Sequence, residues 1–218
     1  MKKNLTELVF ILDKSGSMSG LENDTIGGYN AMLEKQKTLD GECVITTVLF
    51  DNRYELLHDR INIQAVKPIS EAEYQVGGST ALLDAIGQTI HKIGVAQKNT
   101  AEEYRAEKVL FVIITDGEEN ASRHYSTTQV KKAIERQKNK YGWEFIFLGA
   151  NIDAVQTARR FGINAEHAVD YVPDSEGTQL NFKMMSKSVE AFRACGAVPA
   201  AYLDSIRQNT NQRRPFSR

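Results

Sequence analysis

The chain has 218 residues, of which 41% are apolar and 25% charged, and its 27 basic and 28 acidic side chains give a formal net charge of −1. This size and composition favour one soluble globular domain whose core folds without disulfides or a structural metal. The near-neutral charge offers no basic field for a phosphate backbone, so we expect no nucleic-acid partner.

Cysteine usage and hydropathy indicate the cellular compartment of the protein. Cys43 and Cys195 lie far apart in the sequence and do not make a disulfide framework. The apolar run at residues 8–12 is too short for the core of a signal peptide, and no segment approaches the roughly 18 apolar residues of a membrane span. We therefore expect a cytoplasmic protein with no membrane partner.

Apolar patterning predicts strands that alternate with helices along the chain. Continuous apolar runs predict buried strands over residues 8–12, 44–50, 109–115 and 143–148. Helical spacing of apolar side chains predicts helices over residues 25–39, 82–93, 127–140, 153–161 and 176–194. Ser79 or Thr80 is the expected cap of the second helix, and Ser126 or Thr127 that of the third.

Two further strands are short. The pair Asp51-Asn52 is typical of a turn, so residues 53–58 are predicted to return antiparallel to the second strand. Residues 168–172 are predicted to form an edge strand. The whole pattern predicts an α/β fold with a doubly wound, mostly parallel six-stranded sheet in the order 3-2-1-4-5-6 and helices on both faces.

We assign residues 1–196, including the closing helix, to this domain. Residues 197–218 are expected to be a partly flexible tail, because terminal segments fray where little apolar surface ties them down. The basic residues near its end are Arg213, Arg214 and Arg218. Their simplest interpretation is a solvated end of the chain.

Two of the predicted strands end in an acid that small polar residues follow. Asp13 precedes Ser15 and Ser17, and Asp116 precedes Gly117. In an open parallel sheet, ligands bind outside the carboxyl ends of the strands where the winding direction reverses, and the first and fourth strands flank that point. Thr80, at the start of a helix, reaches the same cleft.

This set of side chains predicts a metal site. Neighbouring carboxylates repel one another, and a bound cation removes the conflict. Oxygen donors suit hard cations, so we expect Mg²⁺, with Mn²⁺ or Ca²⁺ as alternatives. The four histidines are scattered without the spacing of zinc ligands.

At these residues the chain resembles the von Willebrand factor A (VWA) family and its metal-ion-dependent adhesion site, which is written Asp-x-Ser-x-Ser, then a distant Thr and a distant Asp. Residues 13–17 match the first part, Gly78-Ser79-Thr80 resembles the second, and Thr115-Asp116-Gly117 resembles the third. The resemblance extends over roughly residues 5–165 and indicates a stand-alone, bacterial-type member with a Rossmann-like fold.

The resemblance also implies how the site works. Ser15 and Ser17 would bind the metal directly, Thr80 directly or through water, and Asp13 and Asp116 largely through water. The metal would then seek an Asp or Glu of a partner protein. The expected function is therefore a metal-dependent protein-binding module, for adhesion or scaffolding, and not an enzyme.

Other residues near the same edge are weaker candidates. Glu118, Asn151 and Asp153 are predicted to form a rim that a partner touches, although a solvated loop and helix capping are simpler roles for them. Lys14 departs from the small or polar residue expected at that position of the family pattern. We expect it to point to solvent, and the alternative is that its charge lowers metal affinity.

Two other functions are alternatives. A magnesium-dependent hydrolase or phosphatase with an aspartyl nucleophile also begins with an acid after the first strand, but it needs a second acid where Ser15 stands. Neither a phosphate-binding loop nor a nucleophile elbow is present in the sequence. A ribonucleoprotein-associated VWA factor is the third alternative, and the near-neutral charge disfavours it.

Overall fold

The computed structural model describes residues 1–213 and contains one six-stranded sheet in the order β3-β2-β1-β4-β5-β6. The β2–β3 pair is antiparallel, and every other neighbouring pair is parallel. The predicted strand order and antiparallel edge are therefore confirmed. The strands are β1 Lys2–Asp13, β2 Glu42–Phe50, β3 Tyr54–Asn62, β4 Ala106–Thr115, β5 Glu144–Gly149 and β6 Ala168–Asp170.

Helices cover both faces of the sheet. They are α1 Glu22–Lys37, α2 Leu82–Asn99, α3 Thr127–Tyr141, α4 Ala154–Arg160, α5 Ser175–Cys195 and α6 Ala200–Arg213. Side chains of β1 alternate between the faces: Phe10 packs into one apolar cluster with α1, α5 and α6, whereas Ile11 packs into the other with α2, α3 and α4. The strand is apolar on both sides because both sides are buried.

The start of α2 differs from the prediction. Neither Ser79 nor Thr80 caps this helix, since its first residue is Leu82 and the residue before it, Ala81, makes no side-chain cap. A side chain that is distant in the sequence accepts a free backbone N–H group of the first turn instead: Leu83 N donates to Glu119 Oε2 at 2.8 Å. The predicted cap at Ser126 is confirmed, because Ser126 and Gln129 form a reciprocal capping box.

A helix occupies much of the segment that was expected to be a tail. In α6, Leu203 and Ile206 are buried against the sheet, and Arg207 Nη2 donates to the carbonyl of Ala168 at 3.0 Å. Arg213 forms an ion pair with Asp174, so it is not a free basic side chain, while Arg214 and Arg218 lie outside the described residues. Within residues 1–213, no helix has the length and hydropathy needed to cross a membrane.

Candidate metal centre

The carboxyl edge of the sheet brings three hydroxyl groups into contact. Ser15 and Ser17 lie in the short turn after β1, and Thr80 lies in the loop before α2. The Thr80 hydroxyl donates to Ser15 Oγ at 3.0 Å, and Ser15 Oγ lies 3.0 Å from Ser17 Oγ. Thr80 and Ser15 are buried, whereas Ser17 is exposed, so the hydroxyl cluster opens to solvent on the Ser17 side.

Asp13, the last residue of β1, organises the loop that carries the serines. Its Oδ1 accepts the backbone N–H of Ser15 at 2.7 Å, and its Oδ2 accepts the hydroxyl of Thr115 at 2.5 Å. Burial raises the pKa of this carboxyl, and the bonds from Ser15 and Thr115 oppose that rise. Asp13 therefore joins the ends of β1 and β4 and fixes the position of Ser15.

Asp116 follows β4, the neighbour of β1, and its environment is different. Both of its carboxylate oxygens are buried, and neither has a hydrogen-bond partner. The pKa of Asp116 is raised to about 6, mainly by burial and also by the negative charge of Asp13, while the nearby Ser17 hydroxyl opposes the rise. That hydroxyl does not make a hydrogen bond to either carboxylate oxygen. A buried carboxylate without a partner is costly, so this group needs a proton, water or a cation.

Gly117 leaves open the space that the hydroxyls surround. A Cβ atom built at this position would stand 2.9 Å from Ser17 Oγ and 2.9 Å from Thr80 Oγ1. Any side chain here would therefore fill the gap between the donors. Only its place after Asp116 marked this glycine in the sequence.

Hydrogen bonds from neighbouring loops fix the position of these groups. Asn120 Oδ1 accepts the backbone N–H of Thr80 at 2.9 Å, and Gly16 N donates to the carbonyl of Gly78 at 3.0 Å. Tyr74, which is buried, donates its hydroxyl to the carbonyl of Asp13. Tyr74 could not be found from the sequence, because it acts through a contact between distant segments.

Lys14 does not point to solvent as expected. Its side chain is only 6% exposed, and its Nζ lies 2.5 Å from Glu55 Oε2. The ammonium group is thereby neutralised by an acid on β3. The predicted reduction of metal affinity by this charge loses its basis.

The predicted rim residues are in different situations. Asn151, which has a positive φ of 54°, lines a cavity of about 360 Å³ together with Ser17 and Asp116. We call this cavity the metal cleft. Asp153 caps α4 by accepting the N–H of Gln156 at 2.8 Å, and Glu118 is exposed; neither lines the metal cleft.

Two acids that were not predicted also line the metal cleft. Asp174 caps α5 and is paired with Arg213, and Asp24 on α1 accepts the hydroxyl of Ser175 at 2.9 Å. Asp174 could have been suspected from its place just before a predicted helix. Nothing in the sequence around Asp24 indicates its position.

Comparison with known proteins places the fold. No family profile and no curated protein matches the chain. Solved structures do match, among them a von Willebrand factor type A protein from Catenulispora acidiphila (16% identity, TM-score 0.57, 85% of this chain and 42% of that chain). The fold is that of a von Willebrand factor A domain.

Two further solved structures match the fold of this chain. The ArnB paralog VWA2 from Sulfolobus acidocaldarius matches at 17% identity and a TM-score of 0.54, over 86% of this chain and 45% of that one. Proximal thread matrix protein 1 from the mussel byssus matches at 13% identity and a TM-score of 0.56, over 85% and 46%. The chain thus spans less than half the length of each of these three proteins.

The donors at the carboxyl edge of this VWA fold fit a hard divalent cation. Two carboxylates and three hydroxyls converge there, and all offer oxygen atoms as donors. Among residues 1–213, no group of three or more His, Cys, Asp or Glu side chains is placed to hold a metal. Any metal bound here would therefore depend on the neutral hydroxyls as much as on the acids.

Proposed function

We propose that the chain is a metal-dependent protein-binding module that presents one divalent cation, Mg²⁺ in the first instance, to an acidic side chain of a partner protein. Asp13, Ser15, Ser17, Thr80 and Asp116 would hold the cation. The observation that carries this proposal is the buried carboxylate of Asp116, which has no hydrogen-bond partner and stands beside the charge of Asp13. A cation would satisfy both acids at once.

An open ligand position supports the binding role. Mg²⁺ takes six oxygen ligands and usually keeps several waters. Ser17 and Asp116 are both among the residues that line the metal cleft, whose 360 Å³ is large enough for a carboxylate side chain and water. Because the hydroxyl ligands are neutral, an anionic ligand entering the cleft would gain a charge-assisted bond to the cation.

Calorimetric titration with Mg²⁺, Mn²⁺ and Ca²⁺ tests the metal site. We expect the wild-type chain to bind one ion, Asp116→Asn to lose binding, and Thr80→Ala to keep it in weakened form. Asp59→Asn is the matched control, because this exposed acid on β3 pairs with Lys92 away from the site. Circular dichroism in chelator should remain native-like, since a core of this size needs no metal.

Affinity capture from host extract tests the binding role. Partners should be retained with Mg²⁺ and released by chelator, and Asp116→Asn should retain none of them. Capture that survives both chelator and the substitution would show that the metal cleft is not the interface. Capture that is lost on nuclease treatment would support the ribonucleoprotein alternative. Magnesium-dependent hydrolysis of a phosphomonoester, abolished by Asp13→Asn, would replace the proposal with the phosphatase alternative.

A further inference from the structure

A second cavity, of about 810 Å³, opens beside Thr80. Ser79 and Ala81, the two chain neighbours of Thr80, line it, and so does Asn120, which binds the Thr80 backbone. The first turns of α2 form one side of the cavity, and residues 52–54 and 120–124 form the others. It is therefore continuous with the loop that carries one of the metal-site hydroxyls.

The charged side chains that line this cavity are mainly basic. They are Arg53 and Arg123, with the imidazole of His124 beside them, against Asp84 as the one carboxylate lining it in the described part of the chain. Arg123 is exposed and forms no ion pair within residues 1–213. Arg53 contacts Asp51 at 3.1 Å, and its side chain is still 76% exposed. Both guanidinium groups therefore keep donors for a ligand.

The single acid is occupied by the protein's own backbone. The carboxylate of Asp84 accepts the N–H groups of Arg123, His124 and Tyr125 at 2.9, 2.9 and 2.8 Å. Glu119, in the same loop, accepts the N–H of Leu83 and the hydroxyl of Ser122, both at 2.8 Å. Because these carboxylates already accept hydrogen bonds from the protein, the basic side chains are the groups that remain available to a ligand.

The same bonds make the cavity rigid. Ser122 Oγ accepts the N–H of Asp84 at 2.9 Å, so the loop and α2 bind each other in both directions. The ring of Tyr125 lies against Gly87, where a Cβ atom would come within 2.3 Å of it. A ligand that enters this cavity meets preformed walls, so little ordering entropy opposes its binding.

We propose that this cavity, the basic cleft, binds further acidic residues of the same partner segment whose Asp or Glu reaches the metal. This inference rests on the proposed function. The occupant is an extended acidic peptide segment, since arginine forks match carboxylates in geometry and charge. An extended chain advances about 3.3 Å per residue, so acids two to four positions from the metal-binding one would lie roughly 7–13 Å from it along the segment.

Two fluorescein-labelled peptides provide the test. The first carries a single Glu in a Gly/Ser background, and the second carries the same Glu followed by Asp-Glu-Asp beginning two positions later. Fluorescence polarisation is measured with Mg²⁺ and with chelator, on the wild type, on Arg123→Gln/His124→Gln, and on Asp116→Asn. Arg159→Gln is the matched control, an exposed arginine near the end of α4 that the basic cleft does not contain.

With Mg²⁺, the acidic peptide should bind the wild type about tenfold more tightly than the single-Glu peptide. The double variant should lose most of that advantage and keep both its Mg²⁺ affinity and its binding of the single-Glu peptide. Arg159→Gln should behave as the wild type. In chelator, the single-Glu peptide should dissociate, while weak binding of the acidic peptide should persist and fall further in the double variant and at higher salt.

The two proposals fail in different ways. Equal affinities for the two peptides, acidic-peptide binding unaffected by the double substitution, or no acidic-peptide binding to any form would overturn the basic cleft. A different result would be a wild-type chain that takes up no Mg²⁺ and still binds the acidic peptide through Arg123 and His124. That result would overturn the metal-dependent function and support the proposal of the basic cleft. The unchanged Mg²⁺ affinity of the double variant shows that it is folded.

Discussion

Thr80 and Asn120 bind each other through two hydrogen bonds. The side chain of Asn120 accepts the backbone N–H of Thr80 at 2.9 Å, and the backbone N–H of Asn120 donates to the carbonyl of Thr80 at 3.0 Å. The loop after β4 therefore fixes the backbone that presents the Thr80 hydroxyl to Ser15.

Replacing Asn120 by Ala should weaken metal binding without unfolding the protein. It removes the acceptor of the Thr80 N–H, so that the hydroxyl loses its fixed orientation. We expect Mg²⁺ affinity to fall about three- to tenfold and stability to fall by about 1 kcal/mol. Calorimetry and urea unfolding measure the two effects. Asn139→Ala, an exposed position on α3, should change neither; an Mg²⁺ affinity equal to the wild type in Asn120→Ala would show that Thr80 needs no such support.

Gly117→Ala should abolish metal binding. The added methyl group would stand 2.9 Å from two of the hydroxyl oxygens and fill the space between them. Overpacking of this kind should also lower stability by about 1–3 kcal/mol. Gly27→Ala is the matched control, since nothing lies within 4 Å of its added Cβ and a helical Ala should stabilise α1 by about 0.5–1 kcal/mol. Undiminished Mg²⁺ uptake by Gly117→Ala would place the ion elsewhere.

Metal-free stability should depend on pH through Asp116. Burial raises the pKa of this carboxyl to about 6, so the folded state holds the proton more tightly than the unfolded state does. The resulting stabilisation is complete below about pH 4 and is lost as the pH rises through 6. In chelator at pH 7.5, Asp116→Asn should therefore be the more stable protein, by about 1 kcal/mol.

The same proton competes with the metal. Mg²⁺ affinity of the wild type should fall about tenfold per pH unit below pH 6, because the carboxyl must lose its proton to bind the ion. Unfolding curves between pH 4 and 8, with chelator and with saturating Mg²⁺, measure both effects. If Asp116→Asn were less stable than the wild type in chelator at pH 7.5, the Asp116 carboxylate would stabilise the fold without metal.

Glu55→Gln should destabilise the fold through Lys14. The Lys14 ammonium group is nearly buried, and Glu55 is the acid it contacts at 2.5 Å. Because Glu55 itself is half exposed, we expect a loss of about 1–3 kcal/mol, below the full cost of an unpaired buried charge. Thermal unfolding measures it, and Glu34→Gln, which removes an exposed partner of Lys37, should cost well under 1 kcal/mol. A loss as small as that of the control would mean that water replaces Glu55 readily.

The strand order and the grouping of the candidate metal-site residues follow from local patterns. Apolar runs that end in Asp13 and Asp116 predict adjacent buried strands, and small polar residues after them predict a ligand site at their ends. The strand lengths do not follow as directly. β1 begins at Lys2, because backbone pairing with β2 and β4 continues through polar residues that an apolar run excludes.

The features that the sequence did not predict depend on distant contacts. Lys14 is buried because Glu55 lies on another strand, and α2 starts without a local cap because Glu119 binds its first turn. The helix α6 escaped prediction because its described residues bury little apolar surface, mainly Leu203 and Ile206. Local spacing carries no information on any of these contacts.

The position of α6 has a consequence for solubility. β6 is the last strand of the sheet, and the carbonyls of Ala168 and Asp170 accept hydrogen bonds from the Arg207 and Thr210 side chains at 3.0 and 2.8 Å. Unpaired main-chain groups of an edge strand recruit strands from other molecules. The C-terminal helix thus covers an edge along which copies of the chain would otherwise associate, and a protein shortened to residue 196 should aggregate before its candidate metal site is disrupted.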